Sequence, residues 1–553
     1  MQDNTVNNGL RVLSVNLPES HSVSLRLIVR VGSLHEEDHQ KGMSHFIEHC
    51  GFRGTEKYGH GELNTLIESW GNVFGPDLNA RTGLCDTTWM LNIPIDGNDD
   101  GTNISVGLGV LEQWAKGIRF SVEDVEYERK VILEEYRSRQ GCAQRLKKQF
   151  WDRFMPQISR RIPIGSLQFI NSVTAQQLRE FYDQQYVYSE MCIVAVGDLT
   201  SCGGDIRALL QKESLFQTTG NVQEPVPKPI NHQVELCHRN IKFCILTDKE
   251  LTATSLSIEI YSYLTCGSGF IEDEVLKRLF CSLLEHRFSE RSSRSDSPWI
   301  SAGVSTQLIA NDRPVQVLSL SARIAREDAD VNRAIVALTE EITRLINFPI
   351  EASELNFGKM KWLRYFQQPI GCSSERIVDD LTQVFLLHDA IDFVGLDLEN
   401  EMAIHVLNNP LLSMHMSEFI KQTLNKPPFT AASLDVSSNV AFVLQSQTEI
   451  MDSQEFEKLF MDSFNLVTNA SAWSFHAPCA DVGHFESLLP GQQKVDVENS
   501  DCFITKMEDT DSHMIVLSNG IEICVKDTGE MAKESISFQA FCLGGSTGKY
   551  SCC

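Results

Sequence analysis

A chain of 553 residues, 42% hydrophobic and 22% charged, has a globular composition and is too long for one core, so several domains are expected, two of them large. Its formal charge of −26 repels phosphate backbones and argues against nucleic acid as a partner, while it would attract cationic peptides. No run reaches the roughly 18 apolar residues of a spanning helix, the opening MQDNTVNNGL carries no basic or apolar leader, and sixteen cysteines include no Cys-x-x-Cys pair, so a reducing compartment, cytosol or organelle matrix, is expected.

Two strand-like runs, LRVLSVNL and VSLRLIVRV, occupy Leu10 to Val31 around a Pro-Glu-Ser turn. Helical patterns follow at GMSHFIEHCGF and ELNTLIESW, then strand-like runs at NVFGPDLNA and TTWMLNIP. Further helices are predicted near GVLEQWAKGI, across VEDVEYERKVILEEYRSR and its continuation, and at AQQLREFYDQQY. The strand MCIVAVGD and a short helix at DIRALLQK complete a first domain over residues 1–215, and the Pro-, Gly- and polar-rich text of 216–229 reads as a linker.

From 230 to 450 the same order returns: a strand at LSIEIYSYL, a helix at EDEVLKRLFCSLLEHRF, strands at WISAGVSTQLI and VQVLSLSARI, and helices from Ala329 to about Gln422. This repeat predicts two related α+β domains, each a mainly antiparallel sheet with helices on one face. A helix and linker are expected over 451–512. Over 513–553 the text restates the opening, with Asn519-Gly520 answering to Asn8-Gly9 and Gly545-Ser546 to Gly32-Ser33. A third domain is therefore expected to start there and to reach only its first two strands.

His45-Phe46-Ile47-Glu48-His49 lies in a helical pattern. Histidines four apart share a helix face, and Glu48 lies nearly on it. Neutral imidazole is a zinc ligand, a catalytic zinc site keeps a position for water, and a carboxylate beside that water can take its proton. The bare motif also fits a pair of surface histidines. A third ligand should be an acid on a distant helix. Glu128 and Glu135 lie seven apart on one face of VEDVEYERKVILEEYRSR, and either could approach a metal while the other orients a ligand. Glu134 points about 100° away from Glu135.

Four runs, RVGSLHEEDHQKGMSHFIEHCGFRGTEKY, ELNTLIESWGNVFGPDLNART, ERKVILEEYRSR and RIPIGSLQFINSVTAQQLREFYDQQYVYSEMCIVAVGDL, together resemble the catalytic domain of the pitrilysin/insulysin family of inverted-motif zinc proteases, which includes mitochondrial processing peptidase. They most resemble its branch of full-length bacterial and plant zinc proteases. The resemblance implies duplicated metallohydrolase domains and one zinc per chain held by His45, His49 and Glu135. It makes Glu48 the general base, Glu128 the acid supporting a ligand, and Asn79-Ala80 part of an edge strand that pairs with substrate backbone. The implied activity is hydrolysis of peptides or unfolded segments.

Members of that branch have four such domains in two closing halves, so this chain reads as truncated after the N-terminal half. A complementing C-terminal half or a homo- or heterodimer partner is expected, and the alternative function is a weak or inactive subunit that binds peptide or a partner chain. The spacing from His49 to Glu135 exceeds the family's usual one, and DGNDDGTNIS at 96–105 is expected to be a looped insertion.

Overall fold

Apolar residues dominate two runs between 11 and 29, on either side of the polar Pro-Glu-Ser-His-Ser break, and Val, Leu and Ile favour strands. In the computed structural model these residues form β2 (Arg11–Asn16) and β3 (Ser22–Val29), after a short β1 (Gln2–Thr5). The structure describes residues 2–5, 8–18, 20–95, 102–202, 206–210, 240–264, 270–309, 314–324, 328–367, 374–387, 396–424 and 439–466, and then 502–507, 512–517 and 522–526. Two units divide the chain, Met1–Phe475 and His476–Cys553.

In the first unit, β4 (Leu78–Thr82), β5 (Thr87–Pro94) and β6 (Met191–Gly197) complete a sheet of order β1-β2-β6-β3-β5-β4, with only β2 and β6 parallel. Its helices are α1 (Met43–Arg53), α2 (Glu62–Ser69), α3 (Thr102–Lys116), α4 (Val122–Ser138), α5 (Cys142–Phe154), α6 (Pro156–Ser159), α7 (Leu167–Ser172), α8 (Ala175–Gln185) and α9 (Arg207–Leu210). Two expectations shift. The NVFGPD part of the third predicted strand is a turn, because Gly75 takes φ 105 and Pro76 has no N–H to give, so β4 starts at Leu78. Residues 102–105 of the expected loop belong to α3, where Ile104 begins a buried stripe continued by Leu108 and Leu111; the remaining 96–101 lie outside the described residues.

A second sheet repeats the pattern with β7 (Asn240–Thr247), β8 (Thr254–Tyr263), β9 (Ser301–Ile309), β10 (Val315–Ile324) and β11 (Asn439–Ser446) in the order β7-β11-β8-β10-β9, again with one parallel pair, β7 and β11. Its helices are α10 (Phe270–Ser292), α11 (Asp328–Asn347), α12 (Ala352–Gln367), α13 (Ser374–Leu387), α14 (Leu396–Leu407), α15 (Leu412–Leu424) and α16 (Ser453–Leu466). The expected linker at 216–229 lies outside the described residues.

Each sheet carries its own domain's helices on one face, as expected, and the opposite face is covered by a helix of the other domain. Val23, Leu25, Leu27 and Val29 enter the core under α1, α3, α4 and α8, whereas Leu13, Ile28, Cys192 and Val194 pack on Ile377, Val378, Leu381 and Phe385 of α13, from the other domain. Reciprocally, Leu146, Phe150 and Phe154 of α5 pack on Leu246, Ala441 and Val443 of the second sheet. Each such side chain stabilises by about 1.5–3 kcal/mol on full burial, so the exchanged helices bind the domains firmly. Arg145 of α5 adds bonds to both carboxylate oxygens of Asp248, at 2.6 and 2.8 Å.

In the unit His476–Cys553, β12 (Cys502–Met507), β13 (Ser512–Leu517) and β14 (Glu522–Lys526) form an antiparallel meander. This sheet begins upstream of residue 513, because Cys502-Phe503-Ile504-Thr505 is aromatic and β-branched; the second expected strand, ISFQAF, lies outside the described residues. Among the described residues no helix is long and apolar enough to cross a membrane.

Where α10, α11 and α12 meet, Arg287 binds both oxygens of Glu354 at 2.7 and 2.9 Å and lies 3.7 Å from Glu341, all three buried. Glu354→Ala would strand the guanidinium, and a loss of about 3–5 kcal/mol in unfolding free energy, measured by urea denaturation, is expected.

Candidate metal centre

Met43, Phe46, Ile47 and Cys50 recur at helical spacing and are buried, which seats one face of α1 on the first core. The adjoining face carries His45 and His49, one turn apart, with ring centroids 4.8 Å apart and planes at 68°. His45 is buried and His49 half-buried, and Glu48 is buried between the helix and the sheet.

Helix α4 faces them. Ser121 caps it by accepting from the Asp124 amide at 3.0 Å, and Arg53 of α1 lies 3.6 Å over the Tyr127 ring and 3.5 Å from Asp124. Two turns of α4 then separate Glu128 from Glu135. Glu135 places Oε2 3.2 Å from His49 Nε2 and 3.5 Å from His45 Nε2, while Glu128 Oε2 lies 3.2 Å from His49 Nδ1. Glu134 turns to solvent and pairs with Arg137. Of the alternatives open from spacing, Glu135 is the acid among the imidazoles, and Glu128 holds the far nitrogen of His49.

Burial would lower the His49 pKa, but the bonds to Glu128 and Glu135 and the charge of Glu48 overcome it and push the imidazole up to about 9. Glu135 shows the same pairing from its other side: burial would raise it, and the bonds from His45 and His49 hold it well below the usual carboxylate range. Among the described residues, His45, His49 and Glu135 are the group whose donor atoms, all within 4.8 Å of one another, could hold a metal ion. The donor set fits zinc. Ligands about 2.0–2.1 Å from one tetrahedral ion stand about 3.3–3.4 Å apart, and the two imidazole-to-carboxylate distances bracket that value.

Glu48 stands beside this trio, not in it. Its Oε2 accepts from the Thr82 hydroxyl at 2.5 Å. Thr82 ends β4, the edge strand of the sheet, which pairs Asn79 with Met90 and Ala80 with Trp89 and has no strand on its other side among the described residues. The Ala80 amide donates to the Asn79 side chain at 2.9 Å. Sequence reasoning missed Thr82, although strand alternation puts it on the same face as Ala80 and Leu78, toward α1.

Duplicated α+β domains, one of which gathers two imidazoles and a carboxylate next to an open sheet edge, define the class: paired metallohydrolase domains of which one is equipped for a metal. The comparisons agree. Residues 11–155 match the family described as "Insulinase (Peptidase family M16)" and residues 172–361 the "Peptidase M16 inactive domain". The chain belongs to peptidase family M16, the insulinase- or pitrilysin-like zinc proteases. It is 24% identical over 538 residues to "Zinc protease PQQL-like" of Arabidopsis thaliana, covering 94% of this chain and 49% of that one. Against "Probable zinc protease PqqL" of Escherichia coli it is 28% identical over 390 residues, 68% of this chain and 40% of the relative. The fold matches the crystal structure of the first half of the periplasmic protease PqqL from Escherichia coli with TM-score 0.71 at 21% identity, covering 86% of this chain and 98% of that one. The chain thus spans about half the length of the curated relatives it matches.

An imidazole raised from 6.5 to about 9 in the folded chain contributes stability that is complete below pH 6.5 and is lost as pH rises through about 9. For metal-free protein prepared with a chelator, the difference in urea midpoint between the unsubstituted chain and Glu128→Gln should therefore shrink across that window.

Proposed function

We propose that this chain is a zinc-dependent metalloendopeptidase acting on peptides or unfolded segments. The observation that carries this is the meeting of two Nε2 atoms and one carboxylate oxygen beside a further buried carboxyl, Glu48, under an open strand edge. One zinc would be held by His45, His49 and Glu135, and when bound it supplies Lewis acidity toward a carbonyl and toward water. Glu48 accepts the proton of the attacking water on a carboxylate oxygen and delivers it to the leaving amine. Glu128 accepts the hydrogen bond of the His49 Nδ1–H, which fixes the tautomer and leaves the Nε2 lone pair free to bind a metal. Thr82, bonded to Glu48, keeps that carboxyl beside the strand to which the substrate adds. Asn79 and Ala80 offer backbone groups to an extended peptide, and recognition through backbone tolerates many side chains. The Asn79 side chain, which now takes the Ala80 amide, gives way when the peptide pairs there.

Zinc content and peptide turnover test this. His45→Ala, His49→Ala and Glu135→Ala should each abolish stoichiometric zinc, whereas Glu134→Ala should retain it. Glu48→Gln should keep zinc and slow hydrolysis by about 10² or more; full turnover in that variant would remove Glu48 from the reaction.

The edge of β4, which has no strand on its outer side among the described residues, favours a second reading, in which the chain turns over weakly alone and a complementing C-terminal half or dimer partner covers that edge and positions the substrate. Adding that half, or raising protein concentration until sedimentation shows a dimer, should raise kcat/KM at least about tenfold. A monomer whose high turnover is independent of concentration would discard this reading.

A further inference from the structure

A helix leaves its first amides without intrahelical partners, and a Ser, Thr, Asn or Asp at the N-cap ordinarily takes one. Helix α1 cannot use that solution. Its N-cap is Gly42 at φ 111, and a Cβ there would stand 3.0 Å from the Gly165 Cα and 3.2 Å from the Ile164 carbonyl oxygen. The Met43 amide goes to the Gln40 carbonyl at 2.9 Å. Those of Gly42 and Ser44 each go to a separate oxygen of Glu36, both at 2.8 Å. Glu36 is fully buried. Burial pushes its carboxyl up to about 8, against the amides of Gly42 and Ser44, the Ser44 side chain and Arg161. Both oxygens accept at the positive end of a helix, which favours the ionised form in opposition to burial.

The two histidines of α1 are held differently. His49 is fixed through Nδ1 by Glu128. His45 is the third residue of the helix, and its buried Nδ1 meets no hydrogen-bonding group among the described residues. Beyond the 3.5 Å contact of its Nε2 with Glu135, its ring is placed by packing and by the backbone of the first turn, the turn that Glu36 caps.

We propose that Glu36 is a positioning residue for the metal centre: by binding the Gly42 and Ser44 amides it sets the first turn of α1 and thereby the place of His45 Nε2. This rests on the reading of His45, His49 and Glu135 as a zinc site. Glu36→Gln keeps the shape but turns an NH2 group toward one of the two amides, so one bond is lost and a donor faces a donor.

The test is zinc affinity of the purified full chain by chelator competition, with circular dichroism as the check on folding. Folded Glu36→Gln should raise the zinc dissociation constant at least about tenfold, and Glu36→Asp, which keeps the charge on a shorter arm, should fall between it and the unsubstituted chain. Glu354→Gln, in the second domain, should lower metal-free stability without changing zinc affinity, so loss of stability alone does not mimic the effect. A folded Glu36→Gln with affinity within about twofold of the unsubstituted chain overturns the proposal and leaves the zinc site standing. Should Glu36→Gln fail to fold, Glu36→Asp decides: weaker zinc binding in a folded chain supports the proposal, and unchanged binding overturns it. Zinc that binds no more weakly to His45→Ala than to the unsubstituted chain would overturn the zinc-site reading itself.

Discussion

Two imidazole nitrogens of α1 and a carboxylate oxygen of α4 meet only if the two helices lie against each other in one register, and any metal chemistry of the first domain would depend on that contact. The tolerance is narrow. A helix advances about 1.5 Å per residue, whereas ligand distances hold to roughly 0.2 Å, so even a fraction of a residue's slip would part the donors. Several contacts oppose such a slip. At the C-terminal end of α1, Trp114 Nε1 donates to the Gly51 carbonyl at 3.1 Å and Arg53 lies over Tyr127 of α4. In the middle, Glu128 holds His49. Helix α4 is itself tied down by Arg129, which binds the carbonyls of Ile170 and Val173. Most of these partners are buried, where a hydrogen bond is least exposed to competition from water.

Much of this was legible in the sequence, for reasons particular to each element. The TTWMLNIP and VQVLSLSARI strands end where their β-branched and aromatic runs end. The His45–His49 spacing put two imidazoles on one face, and the seven-residue spacing of Glu128 and Glu135 put two acids on another, but spacing could not say which acid would meet the ring nitrogens. That depends on the axial offset of α1 against α4, a tertiary quantity. β7 and β11 went unread, since Asn240–Thr247 and Asn439–Ser446 have none of the hairpin signals of the other strands and pair in parallel across most of a domain. The helix exchange was visible only indirectly. Strands such as MCIVAVG are apolar on both faces, which demands cover on both sides, yet nothing local tells which helix supplies it. Thr82 and Glu36 escaped for a similar reason, because each acts on a residue brought to it by the fold.

The duplication also bears on why a group able to hold a metal gathers in one domain and, among the described residues, not in the other. In both, the helix that follows an unpaired couple of strands (β2 and β3, β7 and β8) faces a helix from after the paired β4 and β5 or β9 and β10, and both bury polar groups between them. The first domain sets two imidazoles against Glu128 and Glu135, with Glu48 adjoining. Acids there outnumber bases, and His49 answers by holding its proton more tightly. A dication held there would supply positive charge where the carboxyls crowd and would take the place of that proton. The second domain sets a guanidinium, already charged and bidentate, against Glu354. That pair closes on itself, sealed from solvent at 4% and 1% side-chain exposure, and breaking it would cost more than a new ligand could return. His49 and Glu135 keep 20% and 24% of their side chains exposed, which leaves a side open to solvent. The same topology therefore holds two opposite electrostatic solutions, and the residues at the helix contact, not the fold, decide which domain carries chemistry.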